Sequence, residues 1–331
     1  MTISSSGWPV RALAAAFALV ALAACDAPFS LPSTRALEDG VVASLAAAKS
    51  FEMKGTYSEA GAVWTVDMQL VPPSGTVHVM VSKPGLNLEA IQIGGDAYFR
   101  GNEFLSQHMG SDPTSRNLVK VAGNGWWRGS ATNVPQLPDF TQPSNFRSTF
   151  LGTAVTGRTD HESVDGIDAV GLAGPRATVF VASSPPHQLL RVELKKNAVI
   201  DGISDADLSF DRFDQDFGIK APSDVIDFAH LSTLPPLYSV VSVNTSRCGT
   251  PCVVSALLKN LGGTLGAKAP SVVTFTMVNT ASTKTVGTCQ AVVQPDVDFN
   301  VTTTVTCTID LGGQTMQAGR VTAVVDNPGH E

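Results

Sequence analysis

The sequence predicts a mainly β protein of the α+β type. A curved antiparallel sheet with helices on its apolar face is expected first, followed by an immunoglobulin-like β-sandwich. Three observations predict this fold class. The 331 residues include 29 Gly and 20 Pro but only 15% charged residues, a composition that suits a β-rich exported protein. Apolar and polar residues alternate over much of the chain before residue 231, and the last quarter is rich in Val and Thr with little helical periodicity.

The N-terminus has the pattern of a bacterial export signal. Arg11 precedes an apolar run over residues 12–24, which suits the ~7–15-residue apolar region of such a signal and is shorter than the ~20 residues that span a bilayer. The run ends in Leu22-Ala-Ala-Cys25, which resembles a lipobox. The resemblance implies that residues 1–24 are removed and that a diacylated Cys25 anchors the chain to the outer leaflet of the cell membrane. An ordinary cleavable signal with an accidental or buried cysteine is the alternative.

The elements that follow are predicted in order. Residues 25–33 form a short tether, and Ser33 or Thr34 can cap a helix that runs to about Lys49. From Phe51 the hydrophobic period changes from 3.6 to 2, which predicts half-buried antiparallel strands joined by turns that contain Gly or Pro. Short helices are predicted at 103–109, 116–121 and 145–151, and later strands at 153–159, 168–172, 177–182, 189–195 and 206–213. Trp126-Trp127 lies among the helices, with one of the two at a loop or cavity mouth or, alternatively, buried to anchor a loop.

Ser232-Thr-Leu-Pro-Pro236 separates two predicted domains. Residues 34–231 form the sheet with its helices. Residues 237–331 contain six or seven short Val- and Thr-rich segments, and this number of strands in roughly 95 residues predicts a small immunoglobulin-like sandwich.

Four cysteines lie in the second domain and form an even set, enough for two disulfides in an oxidising compartment. Pairing Cys289 with Cys307 across a hairpin, and Cys248 with Cys252 in a small loop, is one of three possible connectivities. A four-thiolate zinc site is disfavoured because the sequence lacks a second short Cys pair. Free thiols are a further alternative.

Charge and motifs exclude several functions. The net charge is −7, and the largest basic cluster is Lys195-Lys196, so we expect no nucleic-acid partner. Any membrane attachment must then come from the lipid. No nucleophile elbow, His-Glu-x-x-His motif or phosphate loop is present, and Asp160-His161-Glu162 is interpreted as a solvated turn. The prediction is a binding protein with no catalytic residues, no metal and no cofactor.

Five segments resemble a known family when they are taken in serial order after the lipobox and the single helix. They are Ser50–Thr56, Trp64–Leu70, Ile91–Phe99, Val164–Leu172 and Phe180–Leu189. Together they resemble the LolA-like lipoproteins of actinobacteria, which include the mycobacterial glycolipid carriers, over about residues 33–230. The resemblance implies a half-barrel sheet wrapped on helices, with an apolar cavity that accepts an acyl lipid or glycolipid. The sandwich departs from the small single-domain members and suggests a protein partner.

The cavity wall is predicted on the apolar face of the alternating strands and on the helical stretch, because a long acyl chain needs many apolar contacts, each buried methylene contributing about 0.8 kcal/mol. The predicted lining residues are Phe51, Met53, Trp64, Val66, Met68, Leu70, Val79, Ile91, Ile93, Phe99, Leu105, Phe146 and Phe150. The same residues would form a filled core in any fold of a sheet with helices. The alternative function is an interaction module, in which the sandwich binds a protein or glycan and the first domain is a spacer.

Overall fold

The structure is a computed structural model that describes residues 31–312 and 319–330. The predicted signal segment (residues 1–24), Cys25 and most of the predicted tether lie outside the described residues. Within the described part, no helix has the length and apolar character needed to cross a membrane.

Helix α1 (Thr34–Ala47) opens the described chain. The Ser33 hydroxyl caps it by accepting a hydrogen bond from the Ala36 amide at 3.1 Å, as the sequence predicts. Leu37, Val41 and Leu45 recur at helical spacing and are buried. This face attaches the helix to the hydrophobic core of the first domain.

A large sheet of twelve strands follows and confirms the mainly β prediction. The strands are β1 (Phe51–Glu59), β2 (Ala62–Val71), β3 (Thr76–Lys83), β4 (Leu86–Ile93), β5 (Asp96–Arg100), β6 (Trp126–Gly129), β7 (Gly157–Val164), β8 (Ile167–Ala173), β9 (Ala177–Ala182), β10 (Leu189–Leu194), β11 (Ser204–Asp211) and β12 (Val225–Ile226). Their spatial order is β12-β6-β5-β4-β3-β2-β1-β11-β10-β9-β8-β7. The sheet does not close into a barrel. It is also not purely antiparallel, because β12 pairs with β6 in parallel.

One face of this sheet, here called the inner face, packs against helices, and the opposite face is called the outer face. The helical elements after β5 are α2 (Asn102–Met109), α3 (Pro113–Ala122), α4 (Pro138–Thr141), α5 (Pro143–Phe146) and a π-helical turn (Arg147–Leu151). The carboxylate of Asp112 caps α3 by accepting from the amides of Thr114 and Ser115. The inner face, α1 and the later helices share one core.

Strand β7 is one edge of the large sheet and differs from the prediction. Asp160-His161-Glu162 lies within this strand and not in a turn. The pairing with β8 shifts between Thr159 and Glu162, and His161 has a positive φ of 62° there. The physical reason is a β-bulge, which places an extra residue in the strand and breaks the alternation that the sequence pattern relies on.

The second domain is a sandwich of two three-stranded sheets, as predicted. Its strands are β13 (Tyr238–Asn244), β14 (Cys252–Asn260), β15 (Val272–Asn279), β16 (Thr285–Val292), β17 (Thr302–Ile309) and β18 (Gly319–Asp326), ordered β13-β14-β17 and β16-β15-β18. Disulfides join Cys248 to Cys252 and Cys289 to Cys307, which confirms the predicted pairing. The expected hairpin is wrong, because β16 and β17 belong to different sheets and the second disulfide bridges them.

The two hydrophobic cores share no residue among those described. The first core ends at Leu234 and the second begins at Tyr238. Polar contacts of the C-terminal tail connect the domains. The Lys120 ammonium lies 2.8 Å from the Asp326 carboxylate, and the His330 amide donates to the Val121 carbonyl at 2.8 Å.

Candidate functional site

Eleven of the thirteen predicted lining residues belong to the hydrophobic core of the first domain or pack against it. Ten are buried members of the first core, and Trp64 packs against it. They come from the inner face and from the helices that cover it: Phe51, Met53, Trp64, Val66, Met68, Leu70, Val79, Phe99, Leu105, Phe146 and Phe150. Strand register explains the grouping, since Met53, Met68 and Val79 are direct neighbours across β1, β2 and β3.

Ile91 and Ile93 are wrong as lining residues. The β3–β4 register places Ala90 opposite Val79 and Ile91 opposite His78, so the two isoleucines lie on the outer face. Leu88 and Ala90 are the β4 residues that join the core. The Ile-Gln-Ile alternation is real, but alternation alone does not tell which face of a strand is buried.

The space above the inner face is filled by the protein's own aromatic side chains. Phe140, Phe146 and Phe150 are fully buried, and the ring of Phe150 lies 4.9 Å from that of Phe140 and 4.8 Å from that of Phe146, between centroids. The sequence analysis did not identify Phe140. Pro138 at the first position of a helix was the available signal, because proline favours that position.

A cavity of about 270 Å³ remains at the rim of the inner face, with Gln92, Gln136 and Gln142 among its lining residues. Met68, Leu70 and Val77 line it from the sheet, and Leu137 and Pro138 line it from the start of α4. Met68 and Leu70 are predicted lining residues. The cavity is therefore continuous with the apolar surface on which the predicted site was placed.

Trp126 and Trp127 begin strand β6, in a stretch where the sequence predicts no strand. Adjacent strand residues point to opposite faces, so Trp127 is buried in the core beside Phe99, while Arg100 stacks over the Trp126 ring at 4.9 Å. The buried indole nitrogens of Trp127 and Trp64 have no hydrogen-bond partner among the described residues.

The outer face carries a network of charged side chains that the sequence analysis did not anticipate. Glu52 is almost fully buried and accepts hydrogen bonds from Gln69 at 3.0 Å and from Arg212 at 2.9 Å. Burial raises the pKa of Glu52, but these hydrogen bonds and the Arg212 charge outweigh burial and hold the pKa below its ordinary value. Lys54 donates to Asp211 at 2.6 Å, and this hydrogen bond raises the Lys54 pKa.

The pKa values of two more carboxylates on the outer face are shifted in opposite directions. Glu89 accepts from His78 at 2.8 Å and from the Arg100 Nε at 2.9 Å, and these bonds lower its pKa. Burial and the negative charge of Glu52 raise the pKa of Asp67, whose Oδ1 is buried without a partner among the described residues. The outer face is thus built from compensating charges, with Asp67 as its least compensated member.

Across residues 31–312 and 319–330, no group of three or more His, Cys, Asp or Glu side chains is placed to hold a metal ion. His161 lies 3.7 Å from Asp168 on the exposed β7–β8 edge.

No protein-family model matches the chain, and no curated protein matches it. Among solved structures, the chain is similar to MucB in the crystal structure of MucB in complex with MucA(peri). The identity is 12%, the match covers 86% of this chain and 100% of that chain, and the TM-score is 0.28. A TM-score of this size supports no inference about this chain.

Proposed function

We propose that the protein is an exported lipoprotein of LolA-like type, anchored to the outer leaflet through Cys25, that binds an acyl lipid or glycolipid on the inner face of the large sheet without catalysis. The rim cavity beside Met68 and Leu70 carries the proposal, because it joins open space to a continuous apolar surface. At about 270 Å³ it is just below the ~300–1,000 Å³ of most ligand pockets. A whole acyl chain therefore needs further room.

The segment from α4 to the π-helical turn (Pro138–Leu151) is suited to provide that room. Its helical pieces have four or five residues, and isolated helices below about 12–15 residues are marginal in water. Apart from its buried aromatic rings and the buried Leu151, it is held by polar contacts such as the Asp139 amide to Asp201 at 2.8 Å and Arg147 to Asp39 at 3.2 Å. Lipid methylenes can replace the aromatic rings, since both bury apolar area on the same wall.

Organic extraction of the purified protein, followed by mass spectrometry, tests the proposal. Wild-type protein is expected to yield bound acyl species beyond those attached to Cys25. Val77→Phe fills the rim cavity and is expected to lower the yield, whereas Val63→Phe, an exposed site on β2, leaves it unchanged. Absence of acyl species from the wild type, or equal yields from all three proteins, contradicts lipid binding.

The anchor is tested separately. Cys25→Ala removes the only thiol outside the sandwich, and the variant is expected to leave the membrane fraction for the soluble fraction. An unchanged membrane fraction contradicts the anchor but not lipid binding.

One observation favours the alternative of an interaction module. The sandwich exposes aliphatic side chains on three of its strands, at Val241 (54%), Val292 (54%) and Val324 (67%). Exposed apolar side chains favour contact with another protein where they form a contiguous patch, so these three are candidate positions for such a contact. If the first domain is free of ligand in every preparation, the interaction module is favoured over the lipid carrier.

A further inference from the structure

Three polar or cationic side chains lie together at one end of the inner face. Tyr57 on β1 is the direct register partner of Trp64 on β2. Lys83 at the end of β3 follows Ser82, the register partner of Thr65, and its Nζ lies 4.3 Å from the centroid of the Trp64 ring. We call Tyr57, Trp64 and Lys83 the donor row.

The donor row offers hydrogens that no acceptor takes up in the described structure. The Trp64 Nε1 is buried without a hydrogen-bond partner among the described residues, which is unfavourable for a polar group. Lys83 contacts the Trp64 ring, and no carboxylate among the described residues lies within ion-pair distance of its ammonium. Burial, with a smaller effect of Glu59, raises the Tyr57 pKa to about 12, so the phenol stays protonated. An oxyanion would satisfy these groups together.

The donor row and the rim cavity lie at opposite ends of the same apolar surface. Val66, Met68 and Leu70 follow Trp64 on the inner side of β2, and Met68 and Leu70 border the cavity. Six residues of strand span about 20 Å at ~3.3 Å per residue. One leaflet of a bilayer core is about 15 Å thick, half of ~30 Å, so this surface is long enough for one acyl chain. The protein's own side chains cover the surface in the described structure, and the acyl chain would have to replace them.

We propose that the donor row is the head-group site for an anionic amphiphile, whose carboxylate or phosphate accepts hydrogen bonds from the Trp64 indole and the Lys83 ammonium while its acyl chain runs along β2 to the rim cavity. This inference rests on the proposed function and specifies the ligand for it. Glu59, exposed at the end of β1, opposes an anion at this place, because it is the negative charge that acts on Tyr57.

Calorimetric titration of the full chain carrying Cys25→Ala tests the head-group site. The probes are palmitate, the uncharged monopalmitoylglycerol and inorganic phosphate. Lys83→Met keeps the length of the side chain but removes the charge. It is expected to weaken palmitate binding about tenfold, the ratio that corresponds to ~1.4 kcal/mol, and to change monopalmitoylglycerol binding less than about twofold. Lys196→Met, at an exposed loop lysine, is the matched control and is expected to change neither.

Two further variants test the geometry. Trp64→Phe keeps an aromatic ring but removes the N–H, and is expected to weaken palmitate binding without lowering the melting temperature. Glu59→Gln removes the opposing charge and is expected to tighten palmitate binding. If either variant changes the affinity for palmitate and for monopalmitoylglycerol by the same factor, the assigned chemistry is contradicted.

The outcomes separate the two proposals. If neither amphiphile binds the Cys25→Ala chain, the proposed function itself fails. If both bind but Lys83→Met affects them equally or not at all, lipid binding stands and the head-group site is refuted. If phosphate alone binds as tightly as palmitate and depends on Lys83, the row is a small-anion site and the amphiphile is refuted.

Discussion

At the scale of single residues, Asp67 is the carboxylate that the outer face accommodates least well. Its Oδ1 is buried without a partner among the described residues, and Glu52 adds a negative charge nearby. A buried acceptor without a hydrogen bond costs about 1–3 kcal/mol. The charge of Asp67 is therefore expected to reduce the free energy of unfolding.

Asp67→Asn is expected to stabilise the protein by about 1 kcal/mol at pH 7, because it removes this charge. The raised folded-state pKa makes the penalty complete above that pKa and removes it as pH falls toward the unfolded value of about 3.9. Urea unfolding from pH 7 to pH 4 measures the gain, which should shrink on acidification. Asp96→Asn, at an exposed position, is the control. A destabilised Asp67→Asn protein would show that the carboxylate is needed.

The charge of Glu89 is expected to stabilise the folded protein, which is the opposite of the effect expected for Asp67. Its hydrogen bond from His78 and its pair with Arg100 lower its pKa, so its contribution to stability is present above the unfolded pKa of about 4.3 and is lost as pH falls through the lowered folded value. Glu89→Gln is expected to destabilise the protein by roughly 1–2 kcal/mol at pH 7. The same urea series measures it, with the exposed Glu59→Gln as control. An equal effect of both substitutions would refute the special role of Glu89.

At the scale of elements, the attachment of the Pro138–Leu151 segment depends on its buried aromatic side chains. Phe150→Ala is expected to lower the free energy of unfolding by about 3–5 kcal/mol, because it leaves a cavity between Phe140 and Phe146. Phe299→Ala, at a ring that is 44% exposed, is the matched control and should cost far less. Chemical denaturation of both variants decides the point, and similar losses would mean that the segment is not held by its rings.

The pairing of β1 with β11 depends on Gly55. This residue has a φ of +154°, and an added Cβ would lie 2.0 Å from the Asp207 carbonyl oxygen. Gly55→Ala is expected to destabilise the protein by more than about 1 kcal/mol. Gly95→Ala meets no atom within 4 Å and is the control. Thermal melts that give the same midpoint for both variants would contradict the close approach of the strands.

The strand elements were predictable from the sequence where alternation is long, as in β1 and β2. Three features were not predictable, each because a nonlocal contact decides it. The position of Ala90 rather than Ile91 on the inner face depends on pairing with β3, and the β6 strand at Trp126-Trp127 depends on pairing with β5 and β12. The burial of Phe140 depends on tertiary packing, since a four-residue helix has no period to read.

At the scale of the whole molecule, both described disulfides lie in the sandwich. Excess dithiothreitol is therefore expected to lower the unfolding transition of the second domain and to leave that of the first in place. The Cys289–Cys307 bond, with a sequence separation of 18, should account for about 3 kcal/mol, and the Cys248–Cys252 bond, with a separation of 4, for less. Differential scanning calorimetry with and without reductant measures this, with Cys289→Ser/Cys307→Ser as the matched variant. A parallel shift of both transitions would mean that the two cores unfold as one.

The sequence predicted the apolar wall of the candidate site, but it did not predict which side chains fill the space above that wall. The alternation of Phe51, Met53, Val66 and Met68 placed an apolar wall correctly, because each hairpin turn fixes the face of the next strand. Whether a wall is lined by ligand or by the protein's own rings depends on how remote segments pack. No local pattern around residues 138–151 carries that information.

The bulged, charged strand at the β7 edge has a consequence for a protein crowded at high density on a surface. A flat and apolar border of a twelve-strand sheet would recruit the same border of a neighbouring copy and begin fibrillar stacking. Such stacking requires a straight edge backbone and a contact without water. The bulge in β7 removes the first, and its charged or polar side chains oppose the second: Arg158, Asp160, His161 and Glu162. A molecule with an edge of this kind can therefore be densely packed and remain dispersed.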